Sequence, residues 1–226
     1  MKKRILTVAT IFLSITSYAQ EQGKVRFSLD AGYARRTAKV ADNIPAPLKE
    51  QIDGLRSGFN FNTHLSYLIK SNWGLGIHYS LFKSSNETTF NEPFIINDIE
   101  ARTTSDDLSI HFIAPEFLYK SMSENEKHSF ISTISVGYLK YKDEGTFNQI
   151  SADIEGGTIG FGFGLNYDYH ITPSVAIGAG AGFITGTLSK ITTSANGGPS
   201  VETDLPNDQK ENLSYFNLTL GLKFYL

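Results

Sequence analysis

The 226-residue chain has a formal net charge of -3, 20 glycines, 12% aromatic residues and no cysteine. The acidic balance excludes general nucleic-acid binding, and the absence of Cys excludes a disulfide-stapled domain. Stability must therefore come from a large core, from closure of a sheet or from a membrane.

Residues 1–19 place Lys2, Lys3 and Arg4 before an apolar run from Ile5 to Ile15 and end on Ser17, Tyr18 and Ala19. This is the pattern of a secretory signal peptide cleaved after Ala19, with a run too short for a permanent membrane helix. The expected mature chain, residues 20–226, is one domain, and losing three cations makes it more acidic still.

No later segment reaches the ~18 consecutive apolar residues of a membrane helix. Apolar residues alternate instead, as in strands with one oily face. Val25, Phe27, Leu29, Ala31 and Tyr33 form the first such face. Phe59 to Ile69 and Trp73 to Leu81 follow with the same period. From Leu108 to Tyr119 the phase slips, with Leu108, Ile110 and Phe112 on one face and Phe117 and Tyr119 on the other, and Pro115 predicts a bulge or an edge there. Phe130, Ile134, Val136 and Tyr138 continue the set. TIGFGFGLNYDYH (158–170), Val175 to Phe183 and Phe216 to Leu226 complete eight predicted strands.

Short connections at 70–72, 121–127 and 171–174 alternate with long ones near 39–56, 84–106, 142–155 and 188–212. This predicts an all-β fold, an eight-stranded antiparallel transmembrane β-barrel with short periplasmic turns, long extracellular loops and both mature termini in the periplasm. A soluble lipocalin-type barrel would turn its bulky face inward and expose Gly160, Gly162, Gly164, Gly178, Gly180 and Gly182 to water, where Gly only weakens a strand. In a narrow membrane barrel the same glycines face a crowded lumen. Arg26, Asp30, His64, Glu116, Asp168 and Lys223 are the expected polar network there, paired because unpaired charges would be costly. Aromatic residues at strand ends form two expected girdles, Tyr67, Trp73, Tyr119, Phe130, Tyr169 and Phe224 at one interface and Tyr33, Phe59, Tyr79, Tyr138, Phe161 and Phe183 at the other.

The final strand ends on Gly221, Leu222, Lys223, Phe224, Tyr225 and Leu226. It resembles the C-terminal assembly signal of bacterial outer-membrane barrels, with Gly221, Phe224 and Leu226 as its marks and Leu226 in place of the usual terminal Phe. With the leader and eight amphipathic strands, residues 20–226 resemble small OmpA/OmpX-type barrels. The aromatic, glycine-rich style and the Ala19-Gln20 junction look most like the small outer-membrane barrels of Bacteroidota that include PorT-like proteins. The resemblance implies an integral protein of a Gram-negative outer membrane, in contact with lipid and lipopolysaccharide and inserted by the barrel assembly machinery.

Candidate chemistry is sparse. GAGAGF (178–183) has Phe183 where a dinucleotide fingerprint needs its last glycine, and no helix pattern follows, so no cofactor is expected. His78 and Ser80 share a strand face and resemble the base and nucleophile of PagL-type lipid A deacylases, but Leu81 stands where that motif has Asn, and alternation turns both residues inward. His111, His128 and His170 lack ligand spacing, so no metal site is expected. In the first long loop Ile44, Pro45, Pro47, Leu48 and Ile52 predict a short helix after Pro47. The second is read as a hairpin continuing its strands, and the fourth, rich in Thr, Ser, Asn, Gly and Asp, as mobile. The expected function is a monomeric structural or surface-interaction protein whose loops meet an extracellular or secretion-system partner. The alternatives are a lipid-modifying hydrolase using His78 and Ser80, and a narrow pore or accessory component of a secretion system.

Overall fold

The structure, a computed structural model, describes residues 24–38, 46–96, 99–148, 150–207 and 209–226. The expected leader at 1–19 lies outside these residues, as do Ile44 and Pro45 of the first connection.

Alternation of apolar and polar residues produces strands β1 (Val25–Arg36), β2 (Ser57–Lys70), β3 (Trp73–Ile96), β4 (Ile99–Met122), β5 (His128–Phe147), β6 (Ile150–Thr172) and β7 (Val175–Leu188). Three short strands follow, β8 (Lys190–Ala195), β9 (Val201–Asp204) and β10 (Glu211–Asn212), before β11 (Tyr215–Tyr225). A helix, α1 (Ala46–Gly54), lies between β1 and β2. Strands β1 to β7 pair in sequence order, and β11 pairs antiparallel with both β7 and β1. The eight form a closed ring. Its last bonds are terminal ones, from Leu226 N to Val25 O at 2.8 Å and from Val25 N to Leu226 O at 2.9 Å. Closure removes the sheet edges that eight strands would otherwise expose.

The outward face carries a continuous apolar band in which Leu65, Ile77, Ile134, Leu165 and Leu220 are all exposed by more than half. Water would not tolerate so large a patch, whereas hydrocarbon demands it. Aromatic residues border the band. Tyr67, Tyr119, Phe130 and Tyr169 point outward at the end holding the termini, and Tyr33, Phe59, Tyr138, Phe161 and Phe183 point outward at the other.

The lumen is full. Glycines make room for it where wall and filler meet: a Cβ on Gly160 would stand 2.5 Å from Leu139 Cδ1, and one on Gly178 would stand 2.6 Å from Asp168 Oδ1. The half nearer the termini is mostly polar, with a small apolar cluster of Leu68, Leu118 and Ile131 at its end. The other half is an apolar plug of Phe82, Leu108, Ile110, Phe112, Leu139, Ile184 and Tyr215, all at 0–1% exposure.

That plug corrects the expected phase slip. β4 keeps one phase throughout, with Ile113↔Tyr138 and Glu116↔Ser135 in the same register against β5, so Pro115 makes no bulge. Leu108, Ile110 and Phe112 are oily because they fill the lumen, not because they face lipid.

The second long connection is a hairpin that continues its strands, as expected, with β3 and β4 running for 24 residues each. The third differs from expectation, being mostly strand as well, since β5 runs for 20 residues and β6 for 23. A tilted membrane strand needs only ~9–11. The fourth connection, expected to be mobile, contains β8, which pairs with Ala152–Glu155 of β6, and β9, which pairs with β8. Polar Thr and Ser residues support a strand there because a neighbouring ladder takes up their backbone groups. Helix α1 begins at Ala46, one residue before Pro47.

Candidate functional site

Inward positions on β1, β6 and β11 form the first polar group. Arg26 donates from Nε and Nη2 to Asp168 Oδ2 at 3.2 and 3.0 Å, and Tyr225 OH donates to the same oxygen at 2.6 Å. Lys223 pairs with Asp30, both fully buried. Lys120 Nζ stands 4.4 Å above the Tyr225 ring, and His170 Nε2 meets Ser129 Oγ at 2.7 Å. The pairing spans the lumen because unpaired charge would be costly in so dry a space.

A second group lies on β2, β3 and β4. His64 and His78 are cross-strand partners, and their rings stack at 4.1 Å with 10° between planes. Glu116 lies one ladder step toward the termini, where Ser66, Gly76 and Glu116 align across the three strands. Gly76 has no side chain to block the way. Glu116 therefore passes over it, accepting from Ser66 Oγ at 2.7 Å and contacting His64 Nδ1 at 2.8 Å. Alternation alone puts His64 and Glu116 in the lumen without pairing them, and it gives no reason to join His78 to either. The signal lies in strand register, which one sequence does not specify.

The candidate base and nucleophile each engage other partners. Ser80, at 0% exposure, meets Asn60 Nδ2 at 3.1 Å and Tyr215 OH at 2.9 Å, while His78 stacks on His64. Both sit inside the wall, away from lipid. Of the other histidines, His111 contacts Tyr79 OH at 2.9 Å and His128 contacts Tyr167 OH at 2.6 Å.

The terminal residues singled out as an assembly signal all serve the closing seam. A Cβ at Gly221 would stand 2.1 Å from Leu29 O, and Phe224 stacks on Phe27 at 6.2 Å.

The projecting end holds a third group. Arg36 pairs with Glu211 and donates to Asn212 O at 3.0 Å, and Tyr141 OH donates to Asp143 Oδ2 at 3.1 Å. Burial lifts the Tyr141 hydroxyl above its ordinary range, with the Asp143 charge adding to the effect. Burial, followed by repulsion from the Asp106 carboxylate, raises Asp143 to about 6.

No curated protein sequence matches the chain. Among solved structures it is similar to a major outer membrane protein from Thermus thermophilus, at 12% identity and a TM-score of 0.55, covering 89% of this chain and 99% of that one. It is also similar to Neisserial surface protein A, at 13% identity and a TM-score of 0.51, covering 92% of this chain and 100% of that one. These likenesses concern the fold. Over residues 5–224 the chain matches the family described as outer membrane protein beta-barrel domain, and it belongs to that family, as an integral β-barrel protein of the outer membrane.

Proposed function

We propose that this barrel is a closed, non-catalytic scaffold that presents a sheet to a partner outside the cell. The observation that carries this reading is the unequal length of its strands. β1, β2, β7 and β11 have 11–14 residues, close to a membrane span, whereas β3 to β6 have 20–24. The excess forms one sheet beyond the lipid band, in the order β3, β4, β5, β6, β8, β9. It ends on β9, whose four residues are all exposed. An open edge beside a rigid wall suits recognition of another chain.

We place the termini in the periplasm because the short turns share their end of the barrel. On this reading lipid and lipopolysaccharide surround the wall, the seam strand β11 is what the barrel assembly machinery handles, and the molecule is a monomer. A small Bacteroidota barrel with an accessory role in secretion fits the same picture. A pore is disfavoured by the apolar plug, and a hydrolase by the burial of Ser80.

Photo-crosslinking from Thr203 in intact cells tests the proposal. A discrete adduct, lost when residues 190–204 are removed from a barrel that still folds, is expected. An absence of adducts at β9, together with a changed lipid A mass in cells lacking the protein, would shift the assignment to the hydrolase.

A further inference from the structure

The group formed by His64, His78 and Glu116 has a composition that hydrogen bonding among them leaves unexplained. Two imidazoles and one carboxylate, all buried, offer ligand atoms within 4.8 Å of one another. Each comes from a different, adjacent strand, so the ladder holds all three in place. This is a donor set suited to zinc and its neighbours, for which imidazole is a common ligand and a carboxylate supplies charge.

Two further observations support a ligand here. His78 is 7% exposed, and its Nε2 is buried without a hydrogen-bond partner among the described residues. Such an atom is costly unless something occupies the space beside it. A cavity of about 20 Å³ adjoins the group, lined by His64, His78, Asp30, Asn62, Asn166 and Thr219 among others. That is room for about one water. Two of its lining residues also hold unpartnered acceptor atoms, Asn62 Oδ1 and Asp30 Oδ2. Orphaned acceptors around a void beside two imidazoles favour a cation, with its water, over an anion or an apolar guest.

We propose that His64, His78 and Glu116 bind one divalent transition-metal ion of the zinc class, with a water in the adjoining cavity as a further ligand. Binding at His64 Nδ1 moves that ring's proton to Nε2, and protons compete with the ion for all three ligands, so affinity falls as pH is lowered. Ligands on a tetrahedral ion stand roughly 3.4 Å apart, given bonds of about 2.0–2.2 Å. The 2.8 Å contact must open slightly and the widest separation, within 4.8 Å, must contract. The parallel rings cannot both hold one ion in plane, so one must tilt when the ion binds. In the barrel such an ion would lock β2, β3 and β4 together beneath the apolar plug.

The test uses the full mature barrel in detergent, stripped with chelator, with Co²⁺ as the spectroscopic probe. Because plug and charge pairs close both ends of the site, Co²⁺ is supplied in one arm to the folded protein and in another during refolding. One equivalent bound with visible d–d absorption in either arm, displaced by Zn²⁺, is the expected result. His78→Ala and Glu116→Gln should each weaken binding by about a hundredfold or more, while His111→Ala and His128→Ala leave it unchanged. Heat-modifiable gel mobility confirms that each variant has folded. Absence of stoichiometric Co²⁺ in both arms of the wild-type protein overturns the proposal, as does unchanged binding in a folded His78→Ala barrel.

Discussion

Arg26 on β1 and Asp168 on β6 meet across the lumen, with Nη2 and Oδ2 3.0 Å apart and side chains 1% and 0% exposed. A third group, Tyr225 OH, donates to the same carboxylate oxygen. The contact joins strands that are not neighbours in the ring, so it braces the barrel against flattening.

Removing one partner leaves the other charge buried and uncompensated. Asp168→Ala is expected to cost about 3–5 kcal/mol. Replacing both residues with apolar ones of similar volume, Arg26→Met with Asp168→Leu, should recover most of that loss. Urea unfolding in lipid vesicles, read by loss of the fast-migrating folded band, distinguishes the two. A single variant as stable as the wild type would mean that the pair is not desolvated.

The plug predicts silence in planar bilayers. Phe82 and Tyr215 pack at 5.5 Å between ring centroids in the half of the lumen away from the termini, and both are fully buried. Wild-type barrels should show no steady conductance. Phe82→Ala with Tyr215→Ala should stay silent too, because the charge pairs nearer the termini still close the lumen, at a stability cost of about 3–5 kcal/mol for each ring removed. Steady conductance by the wild type would revive the pore reading.

Gln51 latches helix α1 to the wall. Gln51, 3% exposed, donates from Nε2 to Asn86 O at 3.0 Å and to Asp106 Oδ2 at 2.7 Å, and accepts from Asn86 Nδ2 and Thr88 Oγ1 at 3.0 and 2.6 Å. Gln51→Ala leaves these partners unsatisfied, and each such group costs about 1–3 kcal/mol when buried. Amides of α1 should lose hydrogen-exchange protection while those of β1 and β2 keep theirs. Equal protection in the variant would show that α1 is held otherwise.

Asp143 makes the projecting end sensitive to pH. Its carboxyl faces Tyr141, Asp106, Arg36 and Glu211, and Oδ1 is buried without a partner among the described residues. Burial first, then Asp106, raises its pKa from 3.8 to about 6. A carboxyl with a higher pKa folded than unfolded stabilises the fold when protonated. That contribution is fully present below about 3.8 and is lost as pH rises through about 6. Amides of the β5–β6 hairpin should therefore exchange more slowly at about pH 5 than at about pH 7.5 after correction for intrinsic rates, and Asp143→Asn should remove the difference. A wild-type hairpin equally protected at both would contradict the assignment.

Period-two alternation made the outward face legible from β1 to β11, because lipid contact is decided residue by residue and every second position must be apolar. The same reasoning failed at Leu108, Ile110 and Phe112. An apolar residue facing a packed lumen and one facing hydrocarbon have the same composition, and only the neighbours across the barrel tell them apart. The fourth connection misled for a related reason: a polar stretch such as Lys190–Ala195 pairs only if a strand edge is offered to it, and β6 supplies that edge through Ala152–Glu155.

Architecture was therefore written into the chain, since alternation and the order of short and long connections are local properties, whereas the full length of β5 and β6 was not. Arg26, Asp30, Asp168 and Lys223 were likewise marked there as charges that a narrow lumen must neutralise. Which side chains meet is a different matter, and it is settled in three dimensions. Register brings His78 of β3 beside His64 of β2, and the missing side chain of Gly76 lets Glu116 of β4 reach across to them. A one-residue shift in pairing would send any of these side chains to the lipid face, so the cluster exists only because ring closure fixes the register.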